Sequence, residues 1–440
     1  MLTADIPTFR KPIRATWSIE DGLVALLCIA LASLFIEFQL HIGGKIRLFD
    51  IIGFPAALAY IVYSVFARRL RFSFNLLVIS AFFAILAFGG LKLGKQTFVR
   101  EGLQGVEMVV FAWAMSLAAP RFNWNAVKLY FFLYAIGMIA YVVIWHISHG
   151  YLTGWKELEA SKTMFNFGLP IIFGYMIFAK RQATILEYAG IAVLGVILIF
   201  SGERKAQIAY LICVGLAIYG GYLNVLVAAA GGAMMAIALS AAIIANPYLI
   251  RQFTSLTEGS GVKNMTLAQL VMNEEGNSPS DLQREFVNRL SVPLVKQHPL
   301  FGVGTDGFLP YLSDAWGPYL PEYMRLGIHG EFQRTLVENG FVGLFIYCIP
   351  WFRSLLWLLL NRRNLSHRGA VAYLMVMIVV FISNYYEGGG QRAFVAFIII
   401  ALLPEFFGRN IKRVRIRDVM RRLSTPPSGQ APAGLTGRRP

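Results

Sequence analysis

Apolar runs long enough to cross a bilayer recur along almost the whole chain, separated by short basic loops and one long polar segment. A helix needs about 20 residues to span the hydrocarbon core. Hydropathy predicts about twelve such runs, at 21–40, 48–67, 73–90, 103–119, 126–147, 164–180, 184–200, 206–221, 223–246, 334–352, 370–386 and 393–408. The basic residues gather between runs: Arg68, Arg69 and Arg71; Arg121 and Lys128; Lys180 and Arg181; Arg362, Arg363 and Arg368; and Arg409 through Arg422. Such clusters mark cytoplasmic loops, so one register satisfies most loops and puts both termini inside. Lys92, Lys95 and Arg100 run against it, because they sit in a loop assigned to the outer side.

The long polar segment, about 247–330, then faces outward. It carries an acidic Ser/Asn/Gly-rich stretch, the helical run DLQREFVNRLSVPLVKQ and the aromatic, proline-rich YLSDAWGPYLPEYM. It is too polar to lie against lipid and too long for a plain connector, so it predicts a mostly helical subdomain capping the bundle. The organisation that follows is a cytoplasmic segment 1–20, a bundle of about nine spans over 21–246, the outer subdomain 247–330, about three further spans over 331–408, and a basic tail 409–440. The end of that tail is Pro/Gly/Ser-rich and expected to be disordered. About twenty mostly polar residues precede the first run, which argues against a signal peptide.

Composition agrees with the pattern. Of 440 residues, 57% are hydrophobic and 15% charged, and mean hydropathy is +0.58; a soluble domain carries about 25% charged residues. The chain is an all-α polytopic membrane protein. Its net charge of +16 is spread over loops rather than gathered on one folded face, so nucleic acid is excluded as a partner and membrane lipid is not. Cys28, Cys213 and Cys348 each lie inside an apolar run and give neither a disulfide framework nor metal-ligand spacing.

Candidate chemistry concentrates between Arg284 and Gly343. Arg204 lies in FSGERKAQIAY, a polar interruption between apolar runs; Arg284 opens a helix leading into HPLFGVGTDGF; His329 precedes a helix carrying Arg334 and Glu338 at i, i+4 spacing. Two arginines suit a diphosphate and stabilise it as a leaving group. A histidine titrating near neutrality can take or position the proton of an attacking hydroxyl. The set fits group transfer from a diphosphate-linked donor, with no cofactor and no metal. Each residue also has a plainer reading: Arg204 snorkelling to headgroups, Arg284 paired with Glu285 or Asp281, His329 as a helix-end residue. Lys205, Arg100 and Arg392 are weaker candidates. Gly302, Gly304 and Gly307 spell G-x-G-x-x-G but lack the strand and βαβ unit that a dinucleotide site needs, and they predict a tight turn with positive φ instead.

Three segments resemble the O-antigen ligase and O-antigen polymerase superfamily: SGERKAQIAY (201–210), REFVNRLSVPLVKQHPLFGVG (284–304) and HGEFQRTLVENGFVGL (329–344). The resemblance implies a GT-C-like membrane fold in which Arg204 and Arg284 face the diphosphate and His329 is the essential histidine. Lys205, Arg289, His298, Gly302, Gly304 and Arg334, in or beside the same segments, are the substrate-binding candidates. It further implies an undecaprenyl-diphosphate-linked glycan donor and transfer at the periplasmic face of the inner membrane. The acceptor is lipid A–core in a ligase, slightly preferred here, or a second lipid-linked glycan in a polymerase. Two departures bear on acceptor contacts: Gly330 follows the histidine where the family often has asparagine, and Glu203 precedes Arg204. A transporter of lipid-linked glycans and an envelope scaffold are the competing readings; no internal repeat supports the first, and the second leaves the outer basic residues without a common purpose.

Overall fold

The computed structural model describes residues 18–33, 39–41, 45–121, 182–185, 187–192, 204–245, 265–272, 279–321, 327–386 and 396–408, with the single positions 195, 325 and 394. Its helices are α1 (Ile19–Ser33), α2 (Leu48–Phe66), α3 (Phe74–Gly90), α4 (Lys95–Ala118), α5 (Arg204–Tyr219), α6 (Val225–Ala245), α7 (Leu267–Met272), α8 (Pro279–Gln297), α9 (Phe308–Trp316), α10 (Glu331–Asn361), α11 (His367–Tyr386) and α12 (Ala396–Gly408). Among the described residues, Phe49–Phe66, Glu331–Asn361 and His367–Tyr385 are long and apolar enough to cross a membrane. The spans expected at 126–147 and 164–180, and residues 186, 193, 194 and 196–200 of the one at 184–200, lie outside the described residues.

Besides α4, which begins at Lys95 rather than 103 and so carries Lys95 and Arg100, expected in a loop, two boundaries differ from the hydropathy pattern. The first run was expected to stay helical to residue 40, but α1 is described over Ile19–Ser33 and Gln39–His41 pairs antiparallel with Lys45–Arg47. Gly43 and Gly44 lie between the two strands, a glycine pair of the kind that favours a hairpin over helix continuation. The second difference is α10, which begins at residue 331, reaches 361 and is broken at Gly340.

Bundle packing follows from small and aromatic residues at the contacts. α4 buries Gly105, Ala112, Ala114 and Ala118, and small side chains let helices approach closely where lipid offers no hydrophobic drive for association. Between α3, α10 and α12, Phe82 sits 5.2 Å from Tyr347 and 4.5 Å from Phe397, ring centre to ring centre. Cys28 and Cys213 are buried in this core as free thiols and Cys348 is half-buried, in keeping with packing roles. A second apolar cluster is separate: Leu282, Phe286, Leu290 and Leu294 of α8 pack with Phe308 and Leu312 of α9, and with Leu270, Leu320, Ile328 and Val337.

The two cores are joined at the break in α10. A continuous helix would carry bonds from the amides of Phe341 and Val342 to the carbonyls of Val337 and Glu338. Instead Phe341 N donates to Pro299 O (2.8 Å) and Val342 N to Leu300 O (3.2 Å), while Val337 O accepts from Val303 N (2.9 Å) and Glu338 O from Gly304 N (2.8 Å). The loop after α8 thus takes over the four groups that the break releases. Gly340 has φ +66, and a Cβ there would overlap the Leu300 carbonyl.

Gly340→Ala therefore meets both a backbone penalty and a clash, and should cost about 3 kcal/mol. The check is the unfolding midpoint in detergent, with Gly215→Ala on α5, where a Cβ meets nothing within 4 Å, as the comparison.

Candidate functional site

The HPLFGVG loop is held from three sides. Gly302 (φ +60) and Gly304 (φ +107) adopt the positive φ expected of a tight turn, whereas Gly307 has φ −79 and caps α9, with Asp306 at φ +59 in its place. The expectation of positive φ thus fails at Gly307, because the turn closes one residue earlier. A Cβ on Gly302 would overlap the Glu338 backbone, so this close approach requires glycine. Lys92 Nζ donates to Gly302 O (2.6 Å) and Phe301 O (3.3 Å). Thr305 Oγ1 donates to Leu86 O (2.8 Å) and lies 2.9 Å from Asn339 Oδ1.

A charge network continues outward from that loop. Arg334 donates to Asp306 (2.6 Å) and Glu338 (3.0 Å), with Glu331 at 3.9 Å, so the i, i+4 pair expected from the sequence is formed. Arg100 bonds Asp306 from the opposite side and Glu101 at 2.9 Å. Burial, with the Asp306 charge adding to it, holds the Glu101 carboxyl above its ordinary value against the pull of Arg100. Arg334 is only 15% exposed and its donors meet three carboxylates, an arrangement that fixes a loop. Arg289 is likewise engaged, by Glu285 (2.8 Å) and the Met265 carbonyl. His298 is exposed, and its carbonyl accepts from Gly302 N at 3.0 Å.

His329 and Arg284 lie on neighbouring elements. His329 Nε2 is 3.1 Å from Oε1 of Gln283, the residue immediately before Arg284 on α8. One helical turn on, Gln333 Nε2 donates to Ser291 Oγ at 3.0 Å, so two polar bonds stitch α8 to the start of α10. Arg284 is half-buried and Gln283 is 2% exposed. An amide oxygen only accepts, so in this contact His329 Nε2 is the donor. Sequence reasoning missed Gln283, which has neither charge nor motif to mark it. Gly330, beside the histidine, has no room for a side chain, since a Cβ would stand 2.6 Å from Tyr385 O.

Arg204 reaches the same end of the bundle by a different route. It opens α5, which packs against α11. Tyr219 O at the far end of α5 accepts from His367 Nε2 (3.2 Å) at the start of α11, so the two helices run antiparallel. The backbone of Arg204 therefore lies near the end of α11, where Tyr385 meets Gly330. Only the backbone of Arg204 and Lys205 is described.

Residues 189–348 match the family model described as O-Antigen ligase. The matched stretch includes Arg204, Arg284 and His329. No match was found among curated proteins.

The Arg334–Glu338 pair makes a double-mutant test. Glu338→Leu alone takes from the buried Arg334 guanidinium one of its three carboxylates and should cost about 1–3 kcal/mol, whereas Arg334→Leu combined with Glu338→Leu should cost less than the two single changes added together. Strict additivity in the unfolding midpoints would mean that the pair does not couple.

Proposed function

We propose that this chain, whose residues 189–348 match the O-Antigen ligase family model, transfers an undecaprenyl-diphosphate-linked glycan to lipid A–core. The family implies a glycosyltransferase-type enzyme of polysaccharide biosynthesis. The finer reading places the reaction at the periplasmic face of the bacterial inner membrane, with both termini cytoplasmic, and requires neither nucleotide nor metal. The observation that carries it is the 3.1 Å contact between His329 and Gln283. It joins the start of α10 to the helix bearing Arg284, two segments that sequence alone leaves 45 residues apart.

In this mechanism the acceptor hydroxyl oxygen bonds to the anomeric carbon of the donor as the bond from that carbon to the diphosphate breaks. The bonding pair leaves with the diphosphate, whose growing charge meets Arg284 and Arg204. Guanidinium suits that task, being planar, permanently charged and rich in fixed donors. His329 takes the hydroxyl proton while Gln283 keeps the ring oriented. Lys205 lies one residue from Arg204 and is assigned to the donor. Arg334, Gly302 and Gly304 contribute by fixing the loop between Arg284 and His329.

A reconstituted assay tests this with purified protein, undecaprenyl-diphosphate-linked oligosaccharide, and either lipid A–core or no added acceptor. Product on lipid A–core is expected; a ladder of longer lipid-linked glycans in its absence would replace the ligase by a polymerase. His329→Ala should lower transfer by about 10²–10⁴, and Arg204→Ala and Arg284→Ala by at least about 10², without loss of membrane insertion. Full activity in His329→Ala would sink the assignment.

Gln283 gives a separate test. Gln283→Leu should lower kcat by about 10-fold to 100-fold with donor KM little changed, and Gln283→Glu, which keeps the acceptor, should retain more activity. The reverse order would make Gln283 a packing residue.

A further inference from the structure

The end of the bundle remote from His329 holds a cavity of about 770 Å³, lined by Glu20, Arg69, Arg71, Arg121, Trp357 and Glu405 among others. The start of α3, the end of α4 and the end of α10 meet there, whereas Gly89 at the end of α3 stands beside Thr305 of the HPLFGVG loop. At about 1.5 Å per residue, the 17 residues of α3 separate the two ends by about 25 Å. Nothing in the transfer reaction uses this cavity.

Its charges are arranged as a clamp. The Glu20 carboxylate, 10% exposed, accepts from Arg69 Nη1 with both oxygens (2.9 and 3.0 Å) and from Arg121 Nε (2.9 Å). One carboxylate thus draws together two guanidiniums from different loops, and their side chains remain 50% and 48% exposed. Each guanidinium has five N–H donors, of which Glu20 engages only those on one nitrogen of each. Arg71 adds a third positive charge, its loop pinned by a bond from Trp113 Nε1 to Arg71 O (3.0 Å). Glu405 is the other carboxylate of the lining; it accepts from Asn75 Nδ2 (2.9 Å) and from the Ser116 hydroxyl. Three arginines against two carboxylates leave the lining net positive.

The surroundings are those of a lipid boundary. Phe72 lines the cavity and is 75% exposed, and Phe66 at the end of α2 is 82% exposed. Aromatic side chains at this level suit the junction of headgroups and acyl chains. Paired arginines with donors to spare recognise phosphate oxygens, and basic pockets between membrane helices take phospholipid headgroups. We propose that this cavity binds the phosphate of a membrane phospholipid, with Arg69 and Arg121 as the clamp that Glu20 pre-positions. The acyl chains lie along Phe66 and Phe72.

The test titrates purified protein in detergent with phosphatidylethanolamine or phosphatidylglycerol and counts retained lipid by native mass spectrometry. Diacylglycerol, which lacks the phosphate, and inorganic phosphate serve as the other arms. Phospholipid should be retained and diacylglycerol should not. Arg69→Gln combined with Arg121→Gln should weaken retention about tenfold, and Glu20→Gln, which removes the carboxylate that holds the two guanidiniums together, should also weaken it, by less. Unchanged retention in Glu20→Gln overturns the clamp even if the double variant unfolds. Inorganic phosphate binding as tightly as the lipids would overturn the lipid assignment in favour of a soluble anion.

Discussion

The exchange of four backbone hydrogen bonds at Gly340 is the constraint on which the rest of the site depends. In a membrane protein every backbone donor and acceptor must find a partner inside the protein. A break in a helix like α10 is therefore tolerated only where another segment supplies the complementary groups. Residues 299–304 do so, giving two carbonyls and two amides to the opened turn. The loop cannot move without uncovering the break, and the break cannot close without expelling the loop. That lock fixes the end of α8, and with it the register in which Gln283 meets His329 and Ser291 meets Gln333.

The distribution of charge follows from the same lock. Lys92, Arg100 and Arg334 all reach the loop or Asp306 within it, so this end of the bundle spends three cations on holding a turn. They explain why basic residues stand on the side that the positive-inside pattern assigns to the exterior. A guanidinium that is 15% exposed and faces three carboxylates has its charge balanced before any substrate arrives. Arg334 is thus committed to fixing the loop rather than to meeting a diphosphate.

Most helices were legible in the sequence because the 20-residue apolar run is a strong signal with one physical cause. The segments carrying Arg204, Arg284 and His329 were legible too, since polar residues amid apolar runs stand out. The break in α10 left a weaker trace. Asn339–Gly340 is a turn dipeptide, but it sits where hydropathy on both sides reads as a single helix. Gln283 left none, because its importance comes from a partner 46 residues away rather than from its own chemistry. The strand at Gln39–His41 was hidden in the same way: alternation over Gln39–Arg47 is too short to compete with the preceding apolar run, and only the pairing of the two strands reveals it.

Helices α3, α4 and α10 carry polar clusters at both ends and an aromatic core between them, where Phe82, Tyr347 and Phe397 pack. Burial distinguishes the two clusters more sharply than composition does, since both pair arginines with glutamates. At the loop end, Arg334 and Glu338 are nearly enclosed, so their attraction is little screened and serves rigidity. At the other end, Arg69 and Arg121 are half exposed around one shielded carboxylate, so solvent screens the pairs and each contributes little to stability. Arginines held together at such small return in stability, with donors still facing a cavity, are placed for a ligand rather than for the fold.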